Sequence, residues 1–261
     1  MANIRNFFRE GLNSELTQGS VFWGAYVEGY PNWENHGLII TARCDISQNK
    51  AYVYSYLPIV SFDSWLCTEF PKILYKKINK NLYTNLVSAF TSIGGSELLL
   101  KTYPLDIIIT KFSNEGKNKQ RENFHKKIQE YRLLDTLKNE EISITEIKKI
   151  ISSFDKDTES ILNDLISQNL QNYYFLDDIS QSGPHIVKLR DVYHIKSQHA
   201  TRLKAGIKLP NITLKNYDMS YIIGEIRSPY IEHILQKFSS LFIRIGIDDP
   251  DKSIISELVR G

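Results

Sequence analysis

Three β-like runs packed into residues 19–61 limit what this chain can fold into more than any other feature. "GSVFWGAYVEGY" (residues 19–30) alternates aromatic and small residues, and "GLIIT" is a short unbroken apolar run. "AYVYSYLPIVS" alternates Tyr52, Tyr54 and Tyr56 with Val53, Ser55 and Leu57. A period of two places successive side chains on opposite faces, so each run reads as a strand. Pro31 and Asn32 mark a turn between the first two. Three strands with short links predict the start of a small, strongly bent antiparallel sheet or barrel.

Downstream the period changes. Leu74, Ile78, Leu82 and Leu86 recur every four residues and predict a helix. "PLDIIITKF" (residues 104–112), after the Gly94-Gly95 break, reads as a further buried strand. "NKQRENFHKKIQEYRLLDTLK" predicts an amphipathic helix with Phe124, Ile128, Tyr131 and Leu134 inward. Two shorter helices follow, capped by Thr145 and Asp157, the second with Ile161, Leu162, Leu165 and Ile166 inward. Two β-like runs then flank Ser182-Gly183-Pro184. Helix, helix, helix, hairpin is the order of a winged helix, which this segment resembles. Near the end, Ser228 as N-cap and Pro229 as first helical residue open a helix whose buried stripe is Ile231, Ile234, Leu235, Phe238, Leu241 and Phe242, with Gly246 as its stop.

Composition bounds the function. The 261 residues suffice for one large domain or two modest ones, and 42% hydrophobic with 24% charged is ordinary for a globular protein. Cys44 and Cys67 form no CxxC and no zinc-site spacing, so neither metal nor cofactor is expected. Arg5, Arg9 and Glu10 interrupt the N-terminal apolar positions, unlike a signal peptide, and no run approaches the ~18 apolar residues of a spanning helix. A cytoplasmic setting without membrane partners is the expectation.

A net charge of +2 does not by itself argue for nucleic acid. Residues 117–138 nonetheless hold Lys117, Lys119, Arg121, Lys126 and Lys127, a face able to attract phosphate and a route to DNA binding. The alternative there is a solvated helix with compensating i,i+4 pairs. In the winged-helix-like segment the presumed reading helix exposes Glu159, Asn163, Asp164 and Gln168, with no Lys or Arg. A duplex would repel that acidic face, which favours a packing or protein-docking role. On the last helix His233, Lys237, Ser240 and Arg244 form one polar ridge, able to present cations to a phosphate or an acidic partner.

"GSVFW … GLIIT … NK … AYVYSYLPIVS" resembles the first half of the MazF/PemK family of small SH3-like barrels, over roughly residues 19–61. The resemblance implies a toxin endoribonuclease that directs an RNA 2′-hydroxyl at the adjacent phosphorus, which needs a base, cationic donors and a proton for the leaving oxygen. Ser61 falls at the family's Ser/Thr. His36-Gly37 falls where the Arg-Pro pair stands, so the catalytic Arg is missing, and His36 with Arg43 would have to replace it. A second resemblance spans most of the chain. "IITARCDI" and "SPYIEHILQKFSSLFIRIG" are similar to a looser set of bacterial proteins with a Cys-Asp-Ile corner, associated with mobile and phage-defence neighbourhoods.

At that corner, Cys44 as a nucleophile would pair with His36 and take Asp45 as orienter. The simpler expectation is a small buried hydrophobe beside an Asx-type turn made by Asp45. The predicted fold is therefore α+β. Residues 1–112 form an SH3-like antiparallel barrel with a helical insertion, 113–200 a winged-helix-like segment, and 201–261 a strand-helix unit packing back on the barrel. The predicted function is a non-catalytic, degenerate toxin-like component of a phage-defence or toxin–antitoxin-like system, binding a protein partner encoded nearby or RNA. The alternatives are a metal-independent endoribonuclease using His36, Arg43 and Ser61, and a DNA-binding regulator using residues 117–138.

Overall fold

The Tyr-rich run becomes a nine-residue strand, β4 (Val53–Ser61), around which an antiparallel sheet curls into a half-barrel. The computed structural model describes residues 5–11, 15–30, 34–138, 142–203 and 220–242. The other strands are β1 (Phe8–Glu10), β2 (Ser20–Trp23), β3 (His36–Ile39), β5 (Tyr173–Leu176), β6 (His185–Lys188), β7 (Tyr193–Lys196) and β8 (Tyr221–Ile226). Their order is β1-β8-β2-β3-β4-β6-β5, with β7 also on β4. Strands from all three expected segments thus share one sheet, because β6 pairs with β4 and β8 with both β1 and β2.

Pro58 explains an interruption in this sheet. Ser55 turns its N–H to Thr41 Oγ1 and its carbonyl to Ile40 N, on the β3 side. Even-numbered residues of β4 therefore face the opposite edge, and there Tyr52 O and Phe62 N bond Ser197 and Pro184. Pro58 faces that edge with no N–H to give. The ladder duly breaks around it: β7 pairs with residues 53–56, β6 with residues 59–61, and residues 189–192 leave the sheet between them.

One face of the sheet carries Val21, Leu38, Leu57, Ile59 and Val187 under Ile231 and Ile234 of α10 (Tyr230–Phe242), the helix that follows α9 (Ser197–Leu203) in the chain. The other carries Val60 and Ile186 against Trp65 of α2 (Phe62–Thr68) and Phe70 and Leu74 of α3 (Phe70–Ser92). All four apolar residues at spacing four on α3 are buried, as is the predicted stripe of α6 (Asn118–Thr136) except Tyr131, which is half-buried. Gly37 sits where the Phe22 and Tyr56 rings meet edge to face at 5.2 Å. A Cβ at Gly37 would lie 2.3 Å from Phe22 and 2.9 Å from Tyr56. Gly37→Ala is expected to cost about 2 kcal/mol through overpacking of two buried rings. A urea midpoint unchanged by this substitution would refute the account.

Several expectations are corrected. Residues 104–112 are not a strand: they form α5 (Leu105–Phe112), which follows α4 (Glu97–Thr102) and buries only Ile108. A short apolar run does not distinguish helix from strand, and here packing on Phe90, Ile93 and Phe124 decides. The strand expected over residues 19–30 is confined to β2, since Gly24 turns the chain at φ +80°. Ser143, not Thr145, caps α7 (Ile144–Ser153), with Glu146 completing a capping box. The next helix, α8 (Asp155–Ile166), starts before Asp157, and Ile166 is exposed rather than inward. The final helix begins at Tyr230, beyond Ser228 and Pro229, and Phe242 is exposed. The Pro31-Asn32 turn and Gly246 lie outside the described residues.

Candidate ligand-binding site

The excursion of residues 189–192 from the sheet forms one wall of a cavity of about 690 Å³. The turn at Glu28 and Gly29 forms a second wall, and the α2–α3 junction, Thr68 to Lys72, a third. Lys188 lies behind three of the lining residues, Tyr30, Glu69 and Asp191, opposite Tyr173 in the β5–β6 ladder and with its side chain 9% exposed. Its ammonium is 2.6 Å from Asp191 Oδ2, 3.3 Å from Glu69 Oε1 and 4.7 Å from the centre of the Tyr30 ring. Burial alone would lower its pKa, but Asp191 and Glu69 outweigh that, and the pKa is raised. Tyr173 donates its hydroxyl to Glu69 Oε2 at 3.0 Å, and Thr68 donates to the Tyr30 hydroxyl at 2.6 Å. Burial pushes both tyrosines well above the usual phenol range. Glu69 is thus occupied by Lys188 and Tyr173, whereas Glu28 and Lys72 are exposed at the rim.

Glu69 and Lys72 also belong to an adjoining groove of about 530 Å³ between α3 and the loop at residues 169–172. One wall holds Lys72 and Lys76; the other holds Asn169, Gln171 and Asn172. Lys72, Lys76 and Lys80 follow each other at i, i+4 and i+8, a rise of about 6 Å per step. All three are exposed, and none has an ion-pair partner among the described residues. Lys77, one residue round the helix, bonds Ser160 of α8 at 2.6 Å, and Arg190 donates to Asn172 of the facing loop at 2.8 Å.

The residues expected from the sequence are distributed differently. His36 and Ser61 share one end of the β3–β4 pair, with His185 opposite Ser61. His36 is buried against His185, ring centres 5.3 Å apart, and its Nδ1 has no hydrogen-bond partner. Desolvation, followed by His185, holds its pKa down at about 3. His185 is likewise lowered by burial, and its Nδ1 donates to the Gly183 carbonyl at 2.8 Å. Ser61 caps α2, accepting from Ser64 N at 3.1 Å and sharing a 2.6 Å hydrogen bond with Ser64 Oγ. Arg43 lies beyond the far end of β3, in a pocket with Arg9, Ile46, Tyr54 and Glu225. The strand alone separates the two ends by about 13 Å from His36 to Ile40. The structure therefore brings His36 and Ser61 to the same strand end and leaves Arg43 away from both.

Cys44 is exposed, not buried, because the chain after Ile40 winds into a helical turn, α1 (Arg43–Ser47), that sends Ile46 inward instead. Asp45 makes no side-chain Asx bond among those seen: Lys50 N bonds its backbone carbonyl, and its carboxylate accepts from Cys44 Sγ at 3.7 Å. On α6, Lys127 pairs with Glu130 at 2.7 Å and Arg121 bonds Asn118, while Lys117, Lys119 and Lys126 are exposed. Gln168 is buried, not exposed on a reading face: its amide bonds both the N–H and the carbonyl of Phe175. His233 and Lys237 hold α10 to its neighbours, through Tyr174 at 3.1 Å and the Gln168 carbonyl at 2.5 Å. Arg244 lies outside the described residues.

Lys188, Glu69 and Lys72 appeared in no motif. The only local signal is an acid three residues after a lysine in "KLRD", and Tyr173 and Glu69 stand 104 residues apart. Among the described residues no helix is long and apolar enough to cross a membrane, and no three His, Cys, Asp or Glu residues are grouped to hold a metal. No protein-family model, curated protein or solved structure matches the chain.

Proposed function

We propose that the chain is a non-catalytic, degenerate toxin-like component of a bacterial phage-defence or toxin–antitoxin-like system, working in the cytoplasm by holding single-stranded RNA. In this reading the strands around β4 are an SH3-like barrel that has kept a binding surface. The helices α6 to α8 with the β5–β6 hairpin are a winged-helix-like segment used for packing. The observation that carries the proposal is Lys72 and Lys76 facing an amide-rich loop across an open groove, with Lys80 exposed one turn further along the same helix. Lysines whose backbone positions rise about 6 Å per step along a helix can reach successive phosphates of an extended strand, and Asn and Gln offer donors and acceptors to exposed base edges. The alternative endoribonuclease needs a cation beside His36 and Ser61. Arg43 is elsewhere, and Ser61 is engaged as a helix cap.

The test is equilibrium binding of a mixed-sequence RNA of about 20 nucleotides across a salt series. Affinity is expected to fall steeply with salt, by about 0.7 log units per log unit of salt for each phosphate contacted. Lys72→Glu/Lys76→Glu is expected to weaken binding at least tenfold (about 1.4 kcal/mol) and flatten that slope, while Lys117→Glu/Lys119→Glu leaves both unchanged. Undiminished binding by the first variant, or loss confined to the second, overturns the groove and moves the site to α6. RNA cleaved by the wild type but intact with His36→Ala or Ser61→Ala establishes the nuclease instead.

A further inference from the structure

We propose that the cavity over Lys188 is a base-binding subsite that takes guanine, at the end of the lysine groove. The inference builds on the RNA reading above, but its chemistry is local. The cavity is lined by the carboxylates Glu28 and Asp191 from two of its walls and by a cation, Lys72, from the α2–α3 wall. Asp191 gives one carboxylate oxygen to Lys188, and its side chain is still 35% exposed. Glu28 adds a second, exposed carboxylate. Lys72 lines the same cavity from the α2–α3 wall and is shared with the groove. Tyr193 supplies an aromatic wall, held in place by stacking on Tyr56 at 5.5 Å and by accepting a hydrogen bond from Glu28 N at 3.0 Å. The volume of about 690 Å³ is that of a small-ligand cleft.

A ligand that satisfies this layout carries adjacent N–H donors at one edge and a phosphate at the other. Single-stranded RNA is read in this way, with a base splayed out, laid beside an aromatic ring and bonded along its Watson–Crick edge. Among the four bases, guanine alone presents two neighbouring donors there, N1–H and the N2 amino group, and so can satisfy one carboxylate twice. Adenine and cytosine set a lone pair beside their amino group, and uracil sets its single N–H between two carbonyls. Each of these would aim an acceptor at a carboxylate and leave a desolvated group unpaired. Lys188 offsets one of the two inner carboxylate charges, which weakens the repulsion of a phosphate placed near Lys72.

The experiment is isothermal titration of the full chain with the 5′-monophosphates of guanosine, adenosine, cytidine and uridine, and with guanosine itself. Guanosine monophosphate is expected to bind at least about tenfold more tightly than the other three. Glu28→Ala is exposed and outside the buried triad, and it should remove most of that preference. Lys72→Glu should weaken the monophosphate but not guanosine. Equal affinity for all four nucleotides, no binding of any, displacement by a free zwitterionic amino acid, or full preference in Glu28→Ala overturns the subsite. RNA retention without mononucleotide preference rejects the subsite and leaves the groove. Mononucleotide preference without RNA retention does the reverse.

Discussion

Lys188→Met lowers the unfolding free energy by about 3 kcal/mol in urea titrations at pH 7. Methionine keeps the length and packing of the lysine stem, so the loss comes from charge. The variant leaves Glu69 and Asp191, 19% and 35% exposed, close together with no cation between them. Breaking a buried pair by removing one partner costs about 3–5 kcal/mol, and the lower end applies because Asp191 is a third exposed. Tyr30 also loses the cation over its ring. The mechanism makes a second, opposite claim. Adding Glu69→Gln and Asp191→Asn to Lys188→Met should recover at least half the loss, because the uncompensated charge disappears with them. A single variant within about 0.5 kcal/mol of wild type, or a triple variant weaker than the single, would mean that the triad does not hold the cavity base together.

His36→Phe flattens the acid limb of the stability profile. In the native state His36 titrates at about 3, and its ordinary value is 6.5. Between those values the unfolded chain binds the proton and the folded chain does not. The contribution is therefore fully present above about pH 6.5 and is lost as pH falls towards 3. From pH 7 to pH 4 the loss is on the order of 3 kcal/mol. His185, lowered by the same burial, adds to it with the same sign. Phenylalanine keeps a ring against His185 and removes the unpartnered Nδ1. The difference between variant and wild-type urea midpoints should therefore widen steadily from pH 7 to pH 4. A constant difference across that range would show that His36 does not carry the acid sensitivity.

The same His36 shows why the functional residues were harder to read than the elements. Its position at the start of β3 was legible from "HGLII", because a strand pattern needs only neighbours in sequence. Its chemistry depends on His185, which the β3–β4–β6 order brings alongside it. Arg43 illustrates the converse. Adjacent to the corner in sequence, it was a reasonable substitute for a missing arginine, but the helical turn of α1 carries it into a different pocket. Lys237 and His233 looked like an open cationic ridge, and both are spent on Gln168 and Tyr174.

What the chain's own order of residues determined is local. It includes the strands β3 and β4, the long helices α3 and α6 with their inward stripes, and the α-to-β sequence of elements from α6 to β6. Each follows from the spacing of apolar side chains against the backbone repeat, which any reader of the chain can count. Tertiary structure decided the rest. It made residues 105–112 a helix, joined the β5–β6 hairpin to β4, opened the sheet at Pro58, and assembled Glu69, Lys188 and Asp191 below a cavity. Those outcomes turn on groups that meet only when distant segments pack, and on which of them can be desolvated together, and no period in the sequence records either.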